Sequence, residues 1–166
     1  WVLTLLCTSP ATASDGTLLI VGGALREDNA EVHRALIDTL LPDGPLVIIP
    51  AASGRPARSA AAFSDSLQAY GLPAERIFIY PLAMRDDSGT ADVDESLWAH
   101  NGWNQDLVSQ VNNAAGFWFT GGDQMRILQT MVDEDGKASP LLERVREQLG
   151  AGAVIGGSSA GAAIMS

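Results

Sequence analysis

The chain has 166 residues, of which 46% are hydrophobic and 18% charged. That is enough length and apolar content for one domain with a buried core, and it excludes a disordered chain. Ten basic against 20 acidic residues give a formal net charge of -10, which repels phosphate backbones and argues against a nucleic-acid partner.

The first stretch, "WVLTLLCTSPATA", is an apolar run ending in Ala11-Thr12-Ala13. Small residues in that spacing fit a signal-peptidase site, so 1–13 reads as a signal-peptide remnant cleaved after Ala13. The expected location is secreted or periplasmic. Leu6 is too large for a lipobox before Cys7, the only cysteine. No later stretch holds the roughly 18 apolar residues of a membrane span, so no stable membrane association is expected.

From Thr17 onward, strand-like and helix-like segments alternate. "TLLIVGG" (17–23) reads as a strand buried on both faces, followed by "NAEVHRALIDTLL" with Asn29 as N-cap. "PLVIIPAAS" (45–53) is a second strand, and 58–70 is a second helix closed by Gly71. "RIFIYPL" (76–82) is a third strand. The polar stretch from Met84 to Gly102 is too long for an ordinary connection and reads as a functional loop. "NQDLVSQVNNA" is helical, "GFWFTGG" (116–122) is a fourth strand, and a helix starts at Met125. "SPLLERVREQLG" has Ser139 as N-cap, Pro140 at the first helical position and Gly150 as a stop. "GAVIGG" is a fifth strand. This alternation predicts an α/β fold, a doubly wound and mainly parallel sheet sandwiched by helices, occupying 14–166 as one domain. Chemistry in such a sheet gathers at the carboxyl ends of the strands.

Two of those ends carry candidate chemistry. Gly157-Ser158-Ser159-Ala160-Gly161 fits the G-x-S-x-G nucleophile elbow, with Ser159 as the catalytic candidate and the Ala160 amide aimed at a developing oxyanion. Glycine-serine clusters also make plain turns and anion nests, so the pentapeptide leaves both readings open. "FTGGDQMRI" places Gly121 and Gly122 at the end of the fourth strand, where a second amide would complete an oxyanion hole. There Asp123 and Gln124 are candidates for helix capping or substrate contact. The first strand ends in "GGALRE" rather than G-x-G-x-x-G, and no Walker lysine follows a glycine loop.

"FTGGDQ" followed by "GGSSAGAA", with Ser159 lying 35 positions after Gln124, resembles the cyanophycinase and aspartyl dipeptidase family of serine peptidases. The openings "LLIVGGA" and "LVIIPAASG" are similar too, and "GGDQ" is closer to the cyanophycinase branch. The resemblance implies a class I glutamine-amidotransferase-like sandwich and hydrolysis of cyanophycin or β-aspartyl peptides by a Ser–His–acid triad. It implies no metal and no cofactor. Residue by residue, it makes Ser159 the nucleophile, Gly122 and Ala160 the oxyanion donors, and Gln124, with Asp123, the substrate side. The partner is then a peptide, and a homodimer stays open.

A serine needs a base. His33 is expected on a solvated helix face, and His100 sits in the long loop. The resemblance places the catalytic His and acid after the serine, whereas this sequence runs seven residues past Ser159. The chain therefore reads as the N-terminal part of the enzyme, inactive and poorly folded by itself. Asp86, Asp87, Asp92, Asp94 and Glu95 read as a solvated loop, with guanidinium binding as the sharper alternative. Two other readings of the whole are an α/β-hydrolase esterase and a non-catalytic amidotransferase-like binding domain.

Overall fold

A computed structural model describes residues 16–165. The signal-peptide reading of 1–13 lies outside them. Five strands form one all-parallel sheet: β1 (Thr17–Val21), β2 (Leu46–Ile49), β3 (Ile77–Ile79), β4 (Gly116–Phe119) and β5 (Val154–Ser158). Their spatial order is β1-β5-β4-β2-β3. The helices are α1 (Ala30–Thr39), α2 (Pro56–Ala69), α3 (Gln105–Ser109), α4 (Gln124–Met131), α5 (Pro140–Gly150) and α6 (Ala160–Ala163).

Strand residues alternate between two cores because successive side chains of a strand face opposite ways. Leu46, Ile48, Trp118 and Val154 pack on Leu36 of α1 and on Ala60 and Leu67 of α2. Val47, Ile49, Phe117, Phe119 and Ile155 pack on Val108 of α3, Ile127 of α4 and Leu141 and Val145 of α5. The helices after β1 and β2 thus cover one face, and those after β3 and β4 the other. Neighbouring strands β1 and β5, like β2 and β4, send their connections to opposite faces. That is where a crevice opens at the carboxyl edge of a doubly wound sheet.

Local signals explain most element ends. The Asn29 side chain accepts from the Val32 amide at 3.2 Å, and the Ser139 hydroxyl accepts from the Leu142 amide at 3.2 Å; both are N-cap bonds. Three expectations need correction. β1 is an edge strand and not a doubly buried one: among the described residues it pairs with β5 alone, and Leu18 and Ile20 are 47% and 61% exposed. Gly150 does not stop α5 but is its last helical residue, and the left-handed turn comes at Gly152 with φ 99°. His33 does not face solvent: it is 1% exposed, stacked on Tyr70 at 4.9 Å between ring centroids, with Nδ1 2.7 Å from the Asn29 carbonyl. A single polar residue one turn into an amphipathic helix gives no sign of which aromatic rings will cover it.

The long polar segment is also more built than its composition suggests. It contains two 3-10 turns, Glu95–Trp98 and Asn101–Trp103. The Tyr80 hydroxyl donates to the Asn101 carbonyl at 2.8 Å, and Asn101 Nδ2 donates to the Pro81 carbonyl at 2.7 Å, fastening it to the end of β3.

Candidate active site

β5 runs straight into α6 through Ser159, which sits at φ 54° and ψ −117°. A side chain at positive φ is strained, and such strain clusters where a residue must point in a direction ordinary turns do not allow. The glycines on either side permit the bend. A β-carbon on Gly157 would stand 2.5 Å from the Gly161 carbonyl carbon, and one on Gly161 would overlap the Phe119 carbonyl oxygen. Strand and helix therefore approach to a distance at which only hydrogen fits. The Ser159 amide donates to the Val21 carbonyl at 3.1 Å, holding the elbow against the end of β1.

The glycine loop after β4 lies alongside. A β-carbon on Gly121 would meet the Ser159 β-carbon at 3.3 Å, and one on Gly23 would come within 3.8 Å of Ser159 Oγ. Gly122 has φ 146° and crosses the β2–α2 connection so closely that a β-carbon would overlap the Ala52 carbonyl oxygen. Among the described residues, neither the Gly122 nor the Ala160 amide donates to a backbone carbonyl. An open cleft of about 480 Å³ brings Gly22, Gly23, Gly122, Gln124, Ser159 and Ala160 together. Gln124 is exposed in it. Asp123 caps α4, its Oδ1 accepting from the Met125 amide at 2.9 Å, so its carboxylate is already engaged.

Behind the elbow, Ser158, Thr120 and His33 border a separate cavity of about 180 Å³. Thr120 Oγ1 is buried there and has no hydrogen-bond partner among the described residues. Neither histidine hydrogen-bonds Ser159: His33 is held on Asn29, and His100 is an exposed residue at the start of a 3-10 turn.

The acidic loop has an internal partner. Arg58 Nε and Nη2 donate to the two oxygens of Asp87 at 2.6 and 2.8 Å, and the Gly89 amide adds a third bond at 3.0 Å. Glu95 is fully buried, accepting from the Asp87 amide at 3.2 Å. The expectation of a solvated loop is therefore wrong for these two residues, and Asp87 already holds a guanidinium from the same chain. Hydrogen bonding from Arg58 keeps the Asp87 carboxyl below its ordinary value of 3.8, against the opposing effect of burial. A depressed folded-state value means that the tether stabilises the loop above the unfolded-state value and is lost as pH falls through the folded one. Hydrogen–deuterium exchange of 84–98, corrected for intrinsic rates, should therefore accelerate below about pH 4. Asp87→Asn should exchange fast already at pH 7 and lose most of that pH dependence.

A parallel α/β sheet with a serine elbow and a glycine loop at its carboxyl edge defines the class of domain. In sequence, the chain is similar to a cyanophycinase of Geminocystis herdmanii (strain PCC 6308), 38% identical over 65 residues. That match covers 39% of this chain and 22% of the cyanophycinase. In structure, it is similar to a crystal structure of a peptidase from an acI-B1 Actinobacterium, with a TM-score of 0.63 at 22% identity. That likeness covers 89% of this chain and 55% of the peptidase, and it shows the fold. The chain thus spans only part of each relative's length. No protein-family model matches it.

Two participants in this site leave no trace in the sequence. Ala52 and Arg126 pack beside the glycine loop, but an alanine in the connection after β2 and an arginine in a helix carry no motif. Their signal is spatial only.

Proposed function

We propose that the chain is the N-terminal part of a serine-type peptidase that hydrolyses cyanophycin or β-aspartyl peptides. The observation that carries this reading is the strained Ser159, set against Gly121 in a cleft that also holds two undonated amides. Ser159 Oγ attacks the scissile carbonyl and gives up its proton to a base. The Gly122 and Ala160 amides donate to the resulting oxyanion, and each such donor contributes about 3 kcal/mol to the transition state. The amine leaves with that proton, and water hydrolyses the acyl-serine. Gln124, exposed in the same cleft, orients the substrate in this reading. Since neither His33 nor His100 bonds Ser159, the base and its acid partner are proposed to come from polypeptide beyond residue 166. Export to a secreted or periplasmic location is proposed from the composition of 1–13 alone.

The test uses the full-length protein. Incubation with cyanophycin should release aspartyl-arginine dipeptide, with hydrolysis of a nitrophenyl ester slower by at least about tenfold in kcat/KM, roughly 1.4 kcal/mol. Ester hydrolysis without dipeptide release would point to the esterase reading instead. No turnover of either substrate would point to a binding domain.

A further inference from the structure

Arg126 projects from the first turn of α4 back toward the connection after β2. It is only partly exposed, at 18%. Its Nη1 donates to the Ala52 carbonyl at 3.0 Å. The same carbonyl oxygen accepts from the Asp123 amide at 2.9 Å. Its Nε lies 3.8 Å from Asp123 Oδ2, whose other oxygen caps the helix. The Gly122–Asp123 peptide is thus tied to Ala52 at its nitrogen, and Gly122 itself is pressed against the Ala52 carbonyl. The connection carrying Ala52 is in turn folded by the Ser53 amide donating to the Pro50 carbonyl at 2.9 Å.

From this geometry we propose that Arg126 is a positioning residue for the oxyanion hole, fixing the aim of the Gly122 amide through a shared acceptor at Ala52. The inference rests on the peptidase reading and adds a residue to it. A carbonyl oxygen has two acceptor positions. When Arg126 occupies one and the Asp123 amide the other, the carbonyl is held in one orientation, and so is the Gly122–Asp123 peptide plane that hangs on it; this anchors the Gly122 Cα, to which the Gly122 amide nitrogen of the preceding peptide is bonded. Without the guanidinium, the Ala52 carbonyl keeps the Asp123 bond but is free to tilt. A displacement of about 1 Å at a positioning element costs on the order of a hundredfold in rate. Arg126 does not line the cleft that holds Ser159, so its loss should leave ground-state binding unchanged and weaken only binding of the charged tetrahedral state.

The experiment compares Arg126→Met and Arg126→Lys with the parent in the full-length enzyme. Arg126→Met should lower kcat by about ten- to a hundredfold with KM changed less than twofold. It should weaken a boronic-acid inhibitor, which forms a charged tetrahedral adduct on the serine, by a similar factor. Arg126→Lys, which keeps one donor of nearly the same reach, should recover most of both losses. Unchanged kcat in a folded Arg126→Met, or a loss carried by KM alone, would overturn the proposal. A loss of kcat that leaves boronate affinity intact would also overturn it. Failure of the peptidase reading shows separately, as activity that survives Ser159→Ala.

Discussion

Replacing Ser159 with glycine is expected to abolish hydrolysis and to make the protein more stable. The serine is held at φ 54°, ψ −117°, a conformation that costs a residue with a β-carbon on the order of 1–3 kcal/mol. Glycine adopts it with much less strain, so Ser159→Gly should raise stability by about 1 kcal/mol, offset in part by the greater freedom of glycine in the unfolded chain. The same substitution removes the only hydroxyl at the elbow's apex, and turnover should fall by about 10⁴-fold or more. Ser159→Ala should lose as much activity while leaving the strain in place. Urea denaturation of the three full-length proteins, paired with turnover assays, separates the effects. A glycine variant that is inactive but less stable would mean that the turn does not store strain. One that is stable and active would remove the serine from the mechanism.

Gly161→Ala should have a large effect on folding. Its β-carbon would overlap the Phe119 carbonyl oxygen and come within 2.9 Å of the Phe119 β-carbon, so no rotamer change can relieve it. α6 would have to lift off β4, and the expected loss is about 3 kcal/mol. Gly150→Ala is the matched comparison: it lies in the last turn of α5 with nothing within 4 Å of the added carbon, at a φ ordinary for a helix. That substitution should be stabilising by up to about 1 kcal/mol, because alanine prefers the helix. Thermal melts of the two variants check the contrast. Equal stability would mean that the close strand–helix approach is not what the elbow glycine serves.

The sheet was legible because each strand is a short apolar run with its own boundary residues. Leu46–Ile49 and Gly116–Phe119 are buried at every position, and a wholly apolar tetrapeptide ended by proline or by Thr-Gly-Gly has few other uses. The elbow was legible because the spacing of Gly157, Ser159 and Gly161 is a steric requirement, and the contacts at both glycines are the ones that spacing implies. Pairing order left no trace in the sequence. β1 sits at the sheet edge beside β5, its most distant partner along the chain, and a local pattern cannot say which strand lies next to which. The acidic loop misled for a related reason. Five carboxylates close together look solvated, but Asp87 lies against Arg58, 29 positions earlier, and Glu95 is buried, accepting from the Asp87 amide. Long-range partners decide the burial of charge, and composition does not report them.

Ser159 is proposed to be a nucleophile rather than the apex of a tight bend. Fluorophosphonate labelling of the full-length protein, with the adduct mapped by peptide mass spectrometry, addresses it directly. One phosphonyl adduct is expected, on Ser159, absent from Ser159→Ala and slowed by at least about tenfold in Arg126→Met. An unlabelled Ser159 in folded protein, or an adduct on Ser158 or elsewhere, would contradict it.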